Sequence, residues 1–277
     1  MTQSDLGPDF TKPSPARMYD YWLGGKDNFA VDREAAAEIL QHAPDADSAC
    51  RANRAFVGRA VRHVVGRGVL QFIDIGTGLP TAGNAPEAAA AASPGARTIC
   101  VDNDPVVVSH GRALLPRDGT TAVVEADMRD PQAILAAPET RRLIDFTQPV
   151  AVVFAAVLHF VRDEENPAAI VAAFRERIAT GSYLIISHDT TEGHPPELLK
   201  LGEDVYSRAT APMIMRSPQA ILRFFDGFEL AEPGLVAVNE WRPESLRERQ
   251  ERGGHWLLCG VGQKNRAAAR PSGIAAG

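Results

Sequence analysis

The chain is poor in sulfur ligands. Its 277 residues hold three cysteines, Cys50, Cys100 and Cys259, scattered and odd in number, with no Cys-x-x-Cys pair. That excludes a disulfide framework and a thiolate zinc site, and no metal is expected. No apolar run approaches the ~20 residues of a membrane-spanning helix. The polar start, Met1 to Asp9, lacks the basic-then-apolar order of a secretion signal. A cytoplasmic protein with no membrane partner is therefore expected. Lysine is scarce: only Lys12, Lys26, Lys200 and Lys264 stand among the 29 basic residues, the rest being arginine, as genome composition often dictates. The net charge of -6 offers no general surface for a nucleic-acid backbone. What remains is a chain with 45% hydrophobic residues, long enough for one large α/β domain with additions.

Along that length the pattern changes twice. Residues 1–15 are polar and proline-bearing, and a mobile start is expected. Residues 16–68 read as a helical cap. A short helix over 16–23 stops at Gly24-Gly25, Asp32 is placed to cap a helix reaching His42, and a longer helix runs from Asp47 or Ser48 to Val65. Its rows Phe56, Ala60, Val64 and Val57, Val61, Val65 have the i, i+4 spacing of one buried face.

From residue 69 to 264 strands and helices alternate. Strands are expected at 69–75, 98–101, 121–125, 150–157 and 183–187, with helices at 84–92, 106–115, 131–137 and 166–179. Asn84 three residues before Glu87 forms an N-terminal capping pattern, with Pro86 harmless in the first turn. Such alternation predicts a doubly wound, mostly parallel sheet. Residues 190–215 form an insertion rich in proline and polar groups, 217–225 a capped helix, and 228–230, 236–238 and 256–261 final strands added as a hairpin. Residues 265–277 have the composition of a disordered tail.

The stretch Val69-Leu70-Gln71-Phe72-Ile73-Asp74-Ile75-Gly76-Thr77-Gly78 carries most information. A strand feeding a Gly-x-Gly turn lets backbone approach a nucleotide-like ligand, since glycine has no side chain in the way. Asp74 at the mouth of that turn would repel a pyrophosphate and attract a ligand with positive charge near its nucleoside. S-adenosyl-L-methionine, with a sulfonium and an ammonium, is such a ligand. NAD is the alternative, but Thr81 stands where its fingerprint has a third glycine.

Asp74, Asp102 and Asp127 recur at the ends of the first three strands, the edge at which open α/β sheets bind ligands. Asp102 is placed to accept from the ribose hydroxyls and Asp127 from the adenine amino group, with Met128 against the ring. Asp74 is left to face the charged methionine end.

With these motifs in place, the chain resembles the actinobacterial S-adenosylmethionine-dependent methyltransferase family. The resemblance rests on Ala16-Arg17-Met18-Tyr19-Asp20-Tyr21-Trp22-Leu23-Gly24-Gly25-Lys26-Asp27-Asn28, Asn53-Arg54-Ala55-Phe56, Phe72 to Thr81 and Val101-Asp102-Asn103-Asp104-Pro105-Val106. It continues through Asp127-Met128-Arg129-Asp130-Pro131, Val157-Leu158-His159-Phe160, Gly181-Ser182-Tyr183-Leu184 and Glu232-Pro233-Gly234-Leu235-Val236. The family usually has histidine where this chain has Pro86. The resemblance implies a class I fold, a seven-stranded sheet with its last strand antiparallel. It also supports Asp74, Gly76, Gly78, Asp102 and Asp127 as cofactor residues, with Asn103 beside the adenine, and it leaves the acceptor open.

On the substrate side, His159 after the fourth strand is a candidate pocket residue, and His188, next to Asp189 after the fifth, a candidate base. Neighbours on a strand point to opposite faces, which works against a His188–Asp189 pair. Tyr19, Tyr21, Gly24, Gly25, Lys26 and Asn28 read as a hinged lid that excludes water. Arg54 is a candidate partner for the cofactor carboxylate. Within the insertion Tyr206, Met213 and Met215 are candidates for an apolar wall. Val157-Leu158-His159-Phe160 lacks the Asn-Pro-Pro-aromatic motif of enzymes that methylate base amino groups. The expectation is a small-molecule O- or N-methyltransferase; the alternative is a protein that binds the cofactor or a metabolite without transfer.

Overall fold

The computed structural model describes residues 9–116 and 118–265. Three helices come first: α1 (Pro15–Trp22), α2 (Ala30–His42) and α3 (Ala46–Val65). The alternating region follows as β1 (Gln71–Ile75), α4 (Ala85–Ala92), β2 (Arg97–Asp102), α5 (Pro105–Leu114), β3 (Thr121–Glu125), α6 (Pro131–Ala136), α7 (Pro138–Leu143), β4 (Ala151–Ala155), α8 (Pro167–Arg177) and β5 (Tyr183–Asp189). The last third adds α9 (Pro196–Ser207), α10 (Pro218–Leu222), β6 (Glu229–Leu230), β7 (Val236–Ala237), α11 (Leu246–Arg249) and β8 (Leu257–Gln263).

The sheet runs in the order β3-β2-β1-β4-β5-β8-β6, with two-residue β7 pairing β8 off that path. β1 to β5 pair in parallel and β8 runs antiparallel to β5. The sheet therefore has eight strands, seven on that path and the short β7 beyond the seven expected, and its last strand in the chain, β8, is antiparallel as expected. The final strands do not form a simple hairpin, because β6 and β7 each pair with β8 rather than with one another. α7 escapes the periodicity argument: Pro138 restarts a single six-residue helix too short to show a face.

Strand alternation divides the core in two. Ile73, Ile75, Val152, Phe154, Leu184 and Ile186 face the α6–α8 side, whereas Phe72, Val153, Tyr183 and Ile185 face α3 and α4. Most of these side chains are fully buried, as expected of strands covered on both faces. The helix from 84 starts as expected, with Asn84 Oδ1 accepting the Glu87 N–H at 2.9 Å. Asp32 behaves differently from the capping role assigned to it. Phe29 is the N-cap of α2, and Asp32, in the first turn, accepts the Phe29 N–H.

Between Asp9 and Ser14 the chain is tied down, with Arg17 donating to the Lys12 carbonyl and Ser14 Oγ to Asp104 Oδ2 at 2.8 Å. The rest of the expected mobile start, 1–8, and all but Asn265 of the expected tail lie outside the described residues. Among the described residues no helix is long and apolar enough to cross a membrane.

Candidate functional site

The carboxyl edge of the parallel strands is roofed by α1, α3 and α9. Met18, Trp22, Ile39, Val205 and Tyr206 hold that roof together in a separate apolar cluster. Beneath it lies a cavity of about 690 Å³, within the ~300–1,000 Å³ usual for small-molecule sites. Of the expected site residues Tyr19, Arg54, Asp74, Gly76, Gly78, Asp102, Asn103, Asp127, Met128, His159, Tyr206 and Met213 line it, as does Met215.

At the β1 end, Asp74 is buried and accepts from the Thr77 hydroxyl at 2.7 Å. Burial pushes its carboxyl up to about 6. A cation held beside it offsets that desolvation and favours the carboxylate. Gly76 and Gly78 both have φ near +67° (67 and 66). A Cβ at Gly76 would overlap Val157, whereas one at Gly78 meets nothing within 4 Å and would project into open space.

Asp102 ends β2 with Oδ2 accepting the Gly78 N–H and Oδ1 the Asp104 N–H, both at 3.0 Å. Each oxygen keeps a further lone pair, enough for a vicinal diol. Burial raises this carboxyl too, to about 6. Asp127 is more occupied. Its Oδ1 accepts from the Arg129 backbone N–H and Nε, and its Oδ2 from Arg129 Nη2 and, at 3.2 Å, Asn103 Nδ2. Burial pushes its carboxyl up, but the Arg129 hydrogen bonds outweigh that and hold it below the usual range. All four acceptor positions of the carboxylate are filled. An adenine amino group therefore reaches Asp127 only by displacing a partner, Asn103 being the longest bond.

The lid expectation needs correction. Tyr21, Gly24, Gly25, Lys26 and Asn28 do not line the cavity. Their turn folds back on Asp20, whose Oδ2 accepts from the Asp27 N–H and Asn28 Nδ2 at 2.9 and 2.8 Å. Gly25 lies so close that a Cβ there would overlap the Asp20 carboxylate. The glycine is needed for packing and not as a hinge. The roof is instead supplied by Tyr19 and Trp22 of α1.

His188 is also displaced from its expected role. It alternates with Ser187 and Asp189 on β5, faces away from the cavity, and stacks on Phe224. Its Nε2 meets Arg216 Nη1 at 2.9 Å and its Nδ1 the Asp189 carbonyl at 2.7 Å. Arginine only donates, so Nε2 accepts and Nδ1 carries the hydrogen. Burial holds the ring neutral, lowering its pKa to about 3. A ring with both nitrogens engaged is a structural brace.

Asp189, on the other face, reaches the cavity together with His159. Asp74 pairs with Val153, which pairs with Ile185 on β5. Asp189 lies four residues beyond that level, about 13 Å farther along at the usual strand rise. The cavity therefore has two ends, one with the acids of β1 to β3 and one beneath α9.

Polar residues of the wall beyond the expected ones include Trp22, Asn53 and Thr81. Arg54 Nη2 donates to Thr81 Oγ1 at 3.0 Å and its guanidinium lies 5.4 Å from the Tyr19 ring centroid. Trp22 Nε1, Asn53 Oδ1 and Arg54 Nε are buried without a hydrogen-bond partner. Unpaired polar atoms on a cavity wall fit a ligand with polar groups of its own, and the site suits S-adenosyl-L-methionine. Among the described residues no group of three or more His, Cys, Asp or Glu could hold a metal ion.

This sheet order, with acids at successive strand ends and a roofed cleft above them, defines a Rossmann-like class I methyltransferase. Residues 2–265 match the family described as S-adenosyl methyltransferase, and the chain belongs to that family. It is a methyltransferase with S-adenosyl-L-methionine as cofactor. Two crystal structures are similar over nearly their whole length. A candidate methyltransferase from Thermobifida fusca YX is 39% identical, with 96% of this chain and 100% of that one covered and a TM-score of 0.87. A DUF574 family protein from Streptomyces avermitilis MA-4680 is 39% identical, with 92% and 99% covered and a TM-score of 0.88. No curated protein matches the chain.

Proposed function

We propose that this methyltransferase methylates an oxygen or nitrogen of a small molecule, and that nucleic acid is not its substrate. The observation that carries the reading is one cavity with two chemically different ends. Asp74, Asp102 and Asn103 stand at one end, and Phe160, Leu201, Tyr206, Met213 and Trp256 at the other. The first end suits a cationic nucleoside and the second an apolar acceptor.

In this reading Asp102 accepts from the ribose hydroxyls with its free lone pairs. Asn103, Asp127 and Met128 border the adenine. Asp74 stabilises the positive methionine end, Gly78 lets backbone approach it, and Arg54 holds its carboxylate. S-adenosyl-L-methionine supplies a sulfonium methyl, whose displacement needs a nucleophile in line with the carbon–sulfur bond. The chain's contribution is alignment, with reacting atoms at ~3–3.5 Å. Tyr19, Trp22 and Tyr206 hold the acceptor against that line and exclude water.

Calorimetry with S-adenosylmethionine and S-adenosylhomocysteine, followed by a methyl-transfer screen of phenols, amines and carboxylates, tests the reading. Binding of both cofactor forms and turnover of one acceptor class is expected. Failure of both to bind at millimolar concentration would sink it.

A further inference from the structure

Asp189 and His159 meet at the apolar end of the cavity. The Asp189 backbone N–H donates to His159 Nδ1 at 3.3 Å, and Asp189 Oδ2 lies 3.3 Å from the same nitrogen. An imidazole nitrogen that accepts an N–H bears no hydrogen, so the neutral ring carries its proton on Nε2. A nitrogen lone pair and a carboxylate oxygen therefore face each other. Two acceptors at that distance repel until a proton comes between them, and then they share a hydrogen bond. Among the described residues no side chain or backbone group donates to the Asp189 carboxylate.

The remaining surroundings leave that proton position free. Tyr19 on α1, Cys50 on α3 and Tyr206 on α9 face Asp189, and burial raises the pKa of each, holding all three neutral. Arg54 of α3 acts on Tyr19 and Cys50. On the far side of His159, burial, then His188 and Arg216, keep its ring uncharged. The walls beside the pair are aromatic, with Phe160 and Tyr206 ring centroids 5.7 Å apart.

We infer that the Asp189–His159 pair is the proton acceptor of the reaction and that the methyl acceptor is an aromatic phenol; the inference rests on the methyl-transfer reading above. The phenolic O–H breaks and its proton passes to Asp189 Oδ2, where His159 Nδ1 accepts it in place of the Asp189 N–H. The electron pair left on oxygen forms the O–CH3 bond as the S–CH3 bond breaks with its electrons on sulfur. A neutral arylamine has a free lone pair and needs no such acceptor before transfer. An ammonium would pin the carboxylate in its ionised form and present no lone pair to the methyl group. A phenol is the class whose nucleophilicity depends on losing a proton early.

The test uses 2-naphthol, 2-naphthylamine and naphthalene as probes, with S-adenosylhomocysteine binding measured in parallel on the full chain. Burial alone raises the Asp189 carboxyl to about 7. Naphthol affinity should therefore rise about tenfold between about pH 6 and pH 8, following the ionised fraction. Asp189→Asn should abolish that rise and the methylation of naphthol, while leaving S-adenosylhomocysteine affinity and the weak binding of naphthalene unchanged. His159→Gln should narrow the rise. Naphthol affinity that is flat with pH in the natural chain, a pH-dependence that survives in Asp189→Asn, or a preference for naphthylamine would overturn the inference. Failure of S-adenosylhomocysteine to bind the natural chain would instead count against the cofactor site, which separates the two readings.

Discussion

Arg17 Nε lies 2.8 Å from Asp32 Oδ2, with the two side chains 1% and 0% exposed. Asp32 also accepts the Ser14 and Phe29 N–H groups, and Arg17 reaches the Lys12 carbonyl. The pair thus knots the segment before α1 to the start of α2. Three residues before Arg17, Ser14 Oγ fixes the roof to Asp104, beside the ribose acid. Arg17→Met leaves Asp32 buried and uncompensated, a situation that costs about 3–5 kcal/mol. Thermal unfolding should show that loss, and S-adenosylhomocysteine affinity should fall with it. Adding Asp32→Leu should recover part of the stability. A double variant no more stable than Arg17→Met would show that the loss does not come from the stranded charge.

The two glycines of the β1 turn should fail differently. Both have a positive φ, costly for alanine by roughly 1–2 kcal/mol. Gly76→Ala adds a collision with Val157 and should lower the unfolding temperature further. Gly78→Ala meets open space and should unfold closer to the natural chain while losing cofactor affinity. Equal stability and equal affinity in the two variants would contradict the geometry.

Asp102 holds the Gly78 and Asp104 N–H groups and still has acceptors to offer. Asp102→Ala should weaken S-adenosylhomocysteine binding by about 1–3 kcal/mol, the usual result of leaving donors unpaired. Calorimetry reads this directly, and unchanged affinity would place the ribose elsewhere.

The three strand-end acids were legible because each follows an apolar run, and a strand's carboxyl end is where such sheets bind. All three line the cavity. The turn after α1 misled because glycines beside polar residues resemble a hinge, while the feature that explains them, the carboxylate of Asp20 against Gly25, is a contact. Asp189 was within reach of a parity argument. It shares a face with Ile185, and Ile185 faces α3, but which face of β5 the cavity adjoins depends on how α1 and α9 pack. Its pairing with His159 joins residues 30 apart in the chain, and no local pattern encodes that.

Asp189 also makes a prediction about the protein without ligand. Burial raises its carboxyl to about 7 in the folded chain, against about 3.9 for an unfolded aspartate. The folded state therefore binds the proton more tightly. The stability linked to it is fully present below about pH 4, declines as pH rises towards 7, and is gone above that. Asp189→Asn removes the titration, so the variant's advantage should be absent near pH 4, grow through pH 5 and 6, and level off above 7. Linkage sets its ceiling at about 4 kcal/mol. Unfolding of both chains in urea across that range measures the gap. A gap independent of pH would mean that Asp189 keeps an ordinary carboxyl in the folded protein.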